Sequence, residues 1–304
     1  MTETPLPAIR AERELYAGGP KISAAAWGMW RFHGVPVSQA RSLIDAAFEA
    51  GITLFDTADI YGFNGADGFG DAETLLGQVF SETPGLRSKM VLATKGGIIP
   101  GVPYNSSAEY LSQALDASLS RLQVDNVDLW QIHRPDILTH PDEIARALQD
   151  MVASGKVGAV GVSNFTRAQI AALRAALDIP LVSSQPEFSP LHLDPAVNGE
   201  FDDAVQNEMT ILAWSPLGGG RIASPSNERE RAVAHALDQV AGQFGVSRAV
   251  AAFSWVAAHP ARPIPIVGSQ TAERIGELAD LAKVEWTRSA WYAVMQASMG
   301  EPLP

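Results

Sequence analysis

Four residues able to move a proton or hold a charge stand where short apolar runs end: Asp56 and Tyr61 in FDTADIYG (55–62), Lys95 in VLATKGG (91–97) and His133 in VDLWQIHRPD (127–136). Taken singly, most have an ordinary structural reading. A carboxylate after a strand commonly caps a turn, a tyrosine is commonly a half-buried aromatic with its hydroxyl bonded, and a lone histidine is commonly a satisfied core residue. Lys95 resists that treatment, because an ammonium ending an apolar run needs a counter-charge. Together the four describe a chemistry. A phenol, with an ordinary pKa of about 10, is a weak acid at neutral pH, and an ammonium beside it is expected to lower that value. A carboxylate at Asp56 would keep Lys95 charged and fixed, and a histidine would orient a carbonyl oxygen through a second hydrogen bond. Such a set polarises and protonates a carbonyl while a hydride arrives from elsewhere.

The elements that must position these residues alternate short β-type runs with longer helical patterns. The runs are SAAAWGM (23–29), ITLFD (52–56), MVLATK (90–95), VDLWQIH (127–133), VGAVGVS (157–163), LVSSQ (181–185), MTILAW (209–214) and PIPIVG (263–268). Most are nearly continuous in apolar residues, as strands covered on both faces require. About eight βα units in succession predict an α/β fold, a (β/α)8 TIM barrel, with function at the strand C-termini. Those ends supply Trp27-Gly28, Asp56, Lys95, His133, Ser163-Asn164, Gln185, Trp214-Ser215 and Gly268-Ser269. The length of 304 residues allows one domain or two, but ends spread from about residue 27 to 269 converge only in a single domain spanning 1–304. Gly18-Gly19-Pro20 predicts an N-terminal β-hairpin. Ser38 is the expected N-cap of the first helix, and Thr166 that of a helix over 166–177. In 107–123, Tyr110, Leu111, Ala114, Leu115, Leu119 and Leu122 share one helical face. The stretch 218–230 reads as a mobile loop before two helices, and extra helices are expected toward the C-terminus.

Composition removes other classes. With 34 acidic against 22 basic residues the net charge is −12, the wrong sign for phosphate-backbone binding, so no nucleic-acid partner is expected. The absence of cysteine excludes disulfides, thiolate metal sites and cysteine nucleophiles, and accords with a reducing compartment. The longest apolar stretch, 249–258, is about half the ~20 residues a spanning helix needs. The N-terminus carries no apolar signal region. A cytoplasmic protein without a membrane partner is therefore expected, its oligomeric state left open. WRFHGV after the first run lacks the dinucleotide G-x-G-x-x-G, and GVSNF (161–165) lacks the final glycine of a nucleophile elbow. Of six histidines only His133 ends a strand, so no clustered metal site is expected.

The segments resemble those of the aldo-keto reductase superfamily, whose Asp-Tyr-Lys-His tetrad occupies these strand ends. The match runs along nearly the whole chain and is nearest a branch of uncharacterised bacterial oxidoreductases. VGVSNF (160–165), SSQPEFSP (183–190), LAWSPLGGG (212–220) and PIVGSQTAERIGEL (265–278) are similar, in order, to the family's nicotinamide, stacking-aromatic, pyrophosphate and adenosine-end segments. The resemblance implies NADPH-dependent reduction of a small aldehyde or ketone, Tyr61 giving the proton, Lys95 and Asp56 assisting it and His133 orienting the oxygen. It implies that Ser163, Asn164 and Gln185 hold the nicotinamide carboxamide and that Phe188 stacks on the ring. Backbone amides around Ser215, Leu217 and Gly219 would meet the pyrophosphate, and Ser269 and Arg274 the adenosine 2′-phosphate, with Glu277 toward the adenine. Gly28, Trp214 and Gly268 complete the expected cofactor set, NADP(H) being the cofactor. Many relatives carry Tyr at position 188, Lys or Arg at 268 and Asn at 278, where this chain has Phe188, Gly268 and Leu278. Trp30 and Phe63 are expected pocket walls, Trp27 and Trp130 either walls or core, and 62–73 a mobile wall of the mouth. The rival reading is an NADPH-binding regulatory or interaction protein with slow or vestigial turnover.

Overall fold

A computed structural model describes residues 3–303; Met1, Thr2 and Pro304 lie outside it. A short antiparallel hairpin comes first, β1 (Glu12–Glu14) and β2 (Lys21–Ser23), its turn using Gly18 at φ +75°. Eight parallel strands then close a barrel: β3 (Ala26–Gly28), β4 (Leu54–Asp56), β5 (Val91–Gly96), β6 (Val127–Ile132), β7 (Val157–Ser163), β8 (Leu181–Gln185), β9 (Thr210–Ala213) and β10 (Ile264–Val267). They pair in chain order, and β10 joins both β9 and β3. Each of the eight expected runs overlaps one barrel strand; β5 runs one residue past its run, to Gly96, and Ser23 of the first run belongs to β2.

The alternation of side chains across each strand sorts the core into two layers. Leu54, Val91, Ala93, Leu129, Ala159 and Leu212 point into the barrel, where Leu15 and Ile22 of the hairpin close the bottom. Residues of the opposite phase, among them Trp27, Phe55, Trp130 and Val160, face the surrounding helices. The same phase, carried two residues further along β4, β5 and β6, brings Asp56, Lys95 and Gln131 inward at the top.

The outer layer holds α1 (Val37–Glu49), α2 (Asp71–Glu82), α3 (Ala108–Leu122), α4 (Pro141–Ala153), α5 (Arg167–Ala176), α6 (Asp194–Val197), α7 (Glu200–Gln206), α8 (Glu228–Phe244), α9 (Arg248–Ala257), α10 (Ala272–Gly276) and α11 (Arg288–Met299). Helix α5 opens on a capping box in which Thr166 and Gln169 exchange hydrogen bonds. Helix α1 departs from expectation: Pro36 occupies the N-cap, with no side-chain cap, and Ser38 lies inside the helix. The proline's fixed φ already enters the first turn, so the helix starts one residue before Ser38. In 62–73, Asp71, Ala72 and Glu73 belong to α2, and the preceding turns place Gly62, Gly65, Gly68 and Gly70 at positive φ. The end of 218–230 is likewise helical, Glu228 opening α8 behind an Asn227 cap. Helix α11 is clasped to α9 by Trp291 stacked on Trp255 at 4.4 Å, each indole N–H donating to the other's carbonyl. No helix among the described residues is long and apolar enough to cross a membrane.

Candidate active site

Asp56 closes β4, Lys95 lies near the end of β5 and His133 follows β6. Lys95 Nζ donates to Asp56 Oδ2 at 2.6 Å and to the Thr57 carbonyl at 2.8 Å, with both side chains almost wholly buried. The other carboxylate oxygen accepts from Gln185 Nε2 at 3.0 Å and Gln131 Nε2 at 3.4 Å. A buried ion pair survives only when its remaining lone pairs are satisfied, and these two amides supply that. Above the pair lies Tyr61, its ring centroid 4.9 Å from Lys95 Nζ. Its ring also meets His133 edge to face at 5.7 Å and Trp30 at 5.2 Å. The four tetrad residues are thus brought together at one end of the barrel.

Burial pushes the Tyr61 phenol above its ordinary value, outweighing the downward pull of Lys95; the Asp56 charge raises it further. This corrects the expectation of a lowered phenol, because the ammonium's effect is smaller than the desolvation of a phenolate in this site. Tyr61 therefore holds its proton at neutral pH. Burial lowers Lys95, but Asp56 and Tyr61 raise it by more, and the ammonium stays charged. His133 is held well below the usual histidine range by burial first and then by Lys95 and Arg134. It is a neutral imidazole, and its buried Nδ1 has no protein partner.

A second group of polar residues rims this end. Asn164, at φ +61°, donates to Ser163 Oγ and to the His133 carbonyl and accepts from Trp214 Nε1 at 2.9 Å. Ser163 Oγ donates to the Gln185 carbonyl at 2.9 Å. Trp214 is half-buried, two residues beyond inward-facing Leu212, with the Arg134 guanidinium 5.8 Å from its ring. Ser215 (φ +55°) starts a turn in which its own Oγ accepts from the Gly219 amide, so that amide is already engaged. Space stands open beside Gly219 and Gly268, where a Cβ would meet nothing. Ser269, half-buried, accepts Trp27 Nε1 on its carbonyl, and Arg274 is exposed on α10 without a carboxylate partner among the described residues. Glu277 accepts from Ser247 Oγ at the start of α9, a role the sequence did not suggest.

Three expected residues are placed elsewhere. Phe188 is 0% exposed, stacked on Trp255 and edge-on to Phe201 among the outer helices, so the ring face that stacking would need is covered. Trp27 packs between Phe32 and Phe55, and Trp130 is fully buried against Gly96; their strand phase turns both to the helix layer. Both are core. Trp30, 57% exposed, meets the Tyr61 ring, and Phe63 is half-buried two residues beyond Tyr61. Gly28 is explained by packing, since a Cβ there would lie 2.7 Å from Ile266. Sequence reasoning missed Gln131, Arg134 and Asp59. Gln131 is two residues beyond inward-facing Leu129, a signal available from alternation. Asp59 is buried with neither oxygen bonded and is raised well above the usual carboxylate range by burial and then Glu73; nothing in its sequence context marks it.

The sequence profile of the Aldo/keto reductase family matches residues 26–298. The "6-dehydroglucose reductase" of Novosphingobium aromaticivorans is 57% identical over the full length of both chains. One of the same name from Agrobacterium fabrum is 35% identical, over 92% of this chain and 96% of the relative. The solved structure of a glycerol dehydrogenase from Gluconobacter oxydans superposes with a TM-score of 0.80 at 26% identity, covering 94% of this chain and 95% of that one.

Proposed function

The chain belongs to the aldo/keto reductase family and is an NAD(P)H-dependent oxidoreductase, and on that premise we propose that it reduces the aldehyde of a sugar of the 6-dehydroglucose type with NADPH. The observation that carries the chemistry is the buried Asp56–Lys95 pair beneath a protonated phenol. The full-length relative of that name supports the substrate class. In this reading a single domain spanning 1–304 works in the cytoplasm.

The chemistry that a reduced nicotinamide would supply when bound is a hydride for the carbonyl carbon. Tyr61 Oη gives its proton to the carbonyl oxygen as negative charge develops there, and Lys95 stabilises the phenolate left behind. Asp56 keeps the ammonium in place and charged, itself held by Gln131 and Gln185. Neutral His133 donates its one ring N–H to the same oxygen. The half-buried Trp214, steadied by Asn164, offers the ring face for the nicotinamide in place of Phe188. Ser163, Asn164 and Gln185 would hold the carboxamide, the turn at Ser215–Gly219 would take the pyrophosphate once its amides exchange their internal bonds, and Arg274 with Ser269 would take the 2′-phosphate. The chemistry of these residues fits such a cofactor: His133 keeps a buried nitrogen unbonded, a Cβ at Gly219 or Gly268 would meet nothing, and Arg274 has no carboxylate partner among the described residues. Trp30 and Phe63 lend apolar faces to the C–H side of a sugar ring.

The test is NADPH consumption over a panel of aldehydes, ketones and sugars that includes 6-dehydroglucose. The expected result is turnover of 6-dehydroglucose with glucose as product. NADPH binding without turnover of any carbonyl would contradict it and favour a regulatory protein.

A further inference from the structure

The end of the barrel away from the tetrad holds a cavity of about 460 Å³, bounded by the N-terminal segment Pro7–Arg10, the hairpin at Arg13 and the chain from Ala257 to Ile264. It lies at the start of β10 and just before β3, hence at the strand N-termini, on the far side of the packed barrel interior. Its charge is contrary to that of the chain as a whole. Arg10, Arg13 and Arg262 line it beside His259, and no carboxylate forms an ion pair with any of the three arginines among the described residues.

Arg13 is the least satisfied of the three. Its Nη1 donates to the Arg262 carbonyl at 2.9 Å, while Nε and Nη2 are buried with no partner. Burial, reinforced by the charge of Arg262, pulls this guanidinium down to about 10. Glu12 and Glu14 are its neighbours on β1 and point to the opposite face of the strand. No Asp or Glu is among the residues that line the cavity, and the charge of Asp202 acts on His259. Arg262 is itself held at φ +51°, a conformation unfavourable for any residue but glycine. A buried guanidinium without an anion costs free energy, and its planar fork is shaped for a carboxylate or phosphate. The remaining walls are apolar, including Ile9, Pro260, Pro263 and Ile264. The volume falls in the range of ordinary small-ligand sites.

We propose that this cavity is a second binding site, separate from the tetrad, for a small organic anion whose acidic group meets Arg13 and Arg262 and whose apolar body lies on Ile9, Pro260 and Pro263. Its occupation stabilises the N-terminal segment and hairpin that plug the barrel, by mass action on the folded state.

The test is calorimetric titration of the full chain with phenyl phosphate, phenol and inorganic phosphate, at saturating NADPH so that the proposed cofactor site at the opposite end is occupied. Phenyl phosphate is expected to bind one to one and phenol not at all. Arg13→Met is expected to weaken phenyl phosphate at least tenfold, and Tyr61→Phe to leave it unchanged. Arg262→Gly, which removes the guanidinium, relieves the backbone and keeps the carbonyl that Arg13 uses, is expected to weaken it severalfold; it decides the matter if Arg13→Met does not fold. No binding at millimolar phenyl phosphate, or unchanged affinity in the folded arginine variants, would overturn the site. Inorganic phosphate binding as tightly as phenyl phosphate would overturn the assignment of an organic ligand.

Discussion

Tyr61 sits under two opposed influences, and burial prevails over the ammonium. The consequence is a phenol that keeps its proton until a carbonyl takes it, with Lys95 acting on the phenolate after transfer rather than on the resting acid. That balance was illegible in the sequence, where only the identity of the neighbours could be read and not the depth of water exclusion. Phe188 failed as a stacking residue for a related reason: its segment runs past the top of β8 and turns the ring outward onto Trp255. Arg274 offers a clean test at this scale. A charge-assisted hydrogen bond to a phosphate contributes about 1.5–3 kcal/mol, so Arg274→Ala should weaken NADPH roughly 10- to 150-fold and leave NADH nearly unchanged, as read by fluorescence titration. Equal loss for both cofactors would contradict its role.

At the scale of elements, the eight strands were legible because buried parallel strands leave continuous apolar runs between helical patterns. The fate of Trp27 and Trp130 was legible too, had the alternation set by Leu54, Ala93 and Leu129 been carried along each strand. What could not be read was how closely helices approach. Gly77 in α2 lies against the backbone of α3: a Cβ there would stand 2.1 Å from the Arg121 carbonyl oxygen. The same contact aligns Arg121 with buried Glu73, which also accepts from Thr94 on the outward face of β5. Gly77→Ala gains helix propensity but must push two backbones apart, so it should cost about 1–3 kcal/mol net. A melting temperature unchanged or raised would show that α2 has room to shift.

For the whole molecule, buried ionisable groups set the pH dependence of stability. His133 stays neutral well below the usual range, and burial lowers His259 to about 4. Once pH drops below about 6.5 the unfolded chain takes up these protons and the folded chain does not, so stability is full above that pH and falls between about 6.5 and 4. Asp59 opposes this trend. Its raised carboxyl keeps a proton that the unfolded chain releases above about 3.9, a stabilisation present in acid and lost as pH rises. Thermal melts should therefore show wild-type stability falling from pH 6.5 to 4, and Asp59→Asn falling more steeply while matching or exceeding wild type at pH 7. Parallel curves for the two would contradict the buried, protonated Asp59. Barrel closure itself was predictable from eight βα units, whereas the arginine-lined cavity at the far end was not, since Arg13 and Arg262 are 249 residues apart.

Proton donation by Tyr61 in a hydride reduction is read by comparing wild type and Tyr61→Phe for NADPH binding and for NADPH consumption with 6-dehydroglucose. Equal NADPH affinity and a loss of turnover of about 10²- to 10⁴-fold are expected in the variant. Turnover retained at the wild-type rate by Tyr61→Phe would contradict that role.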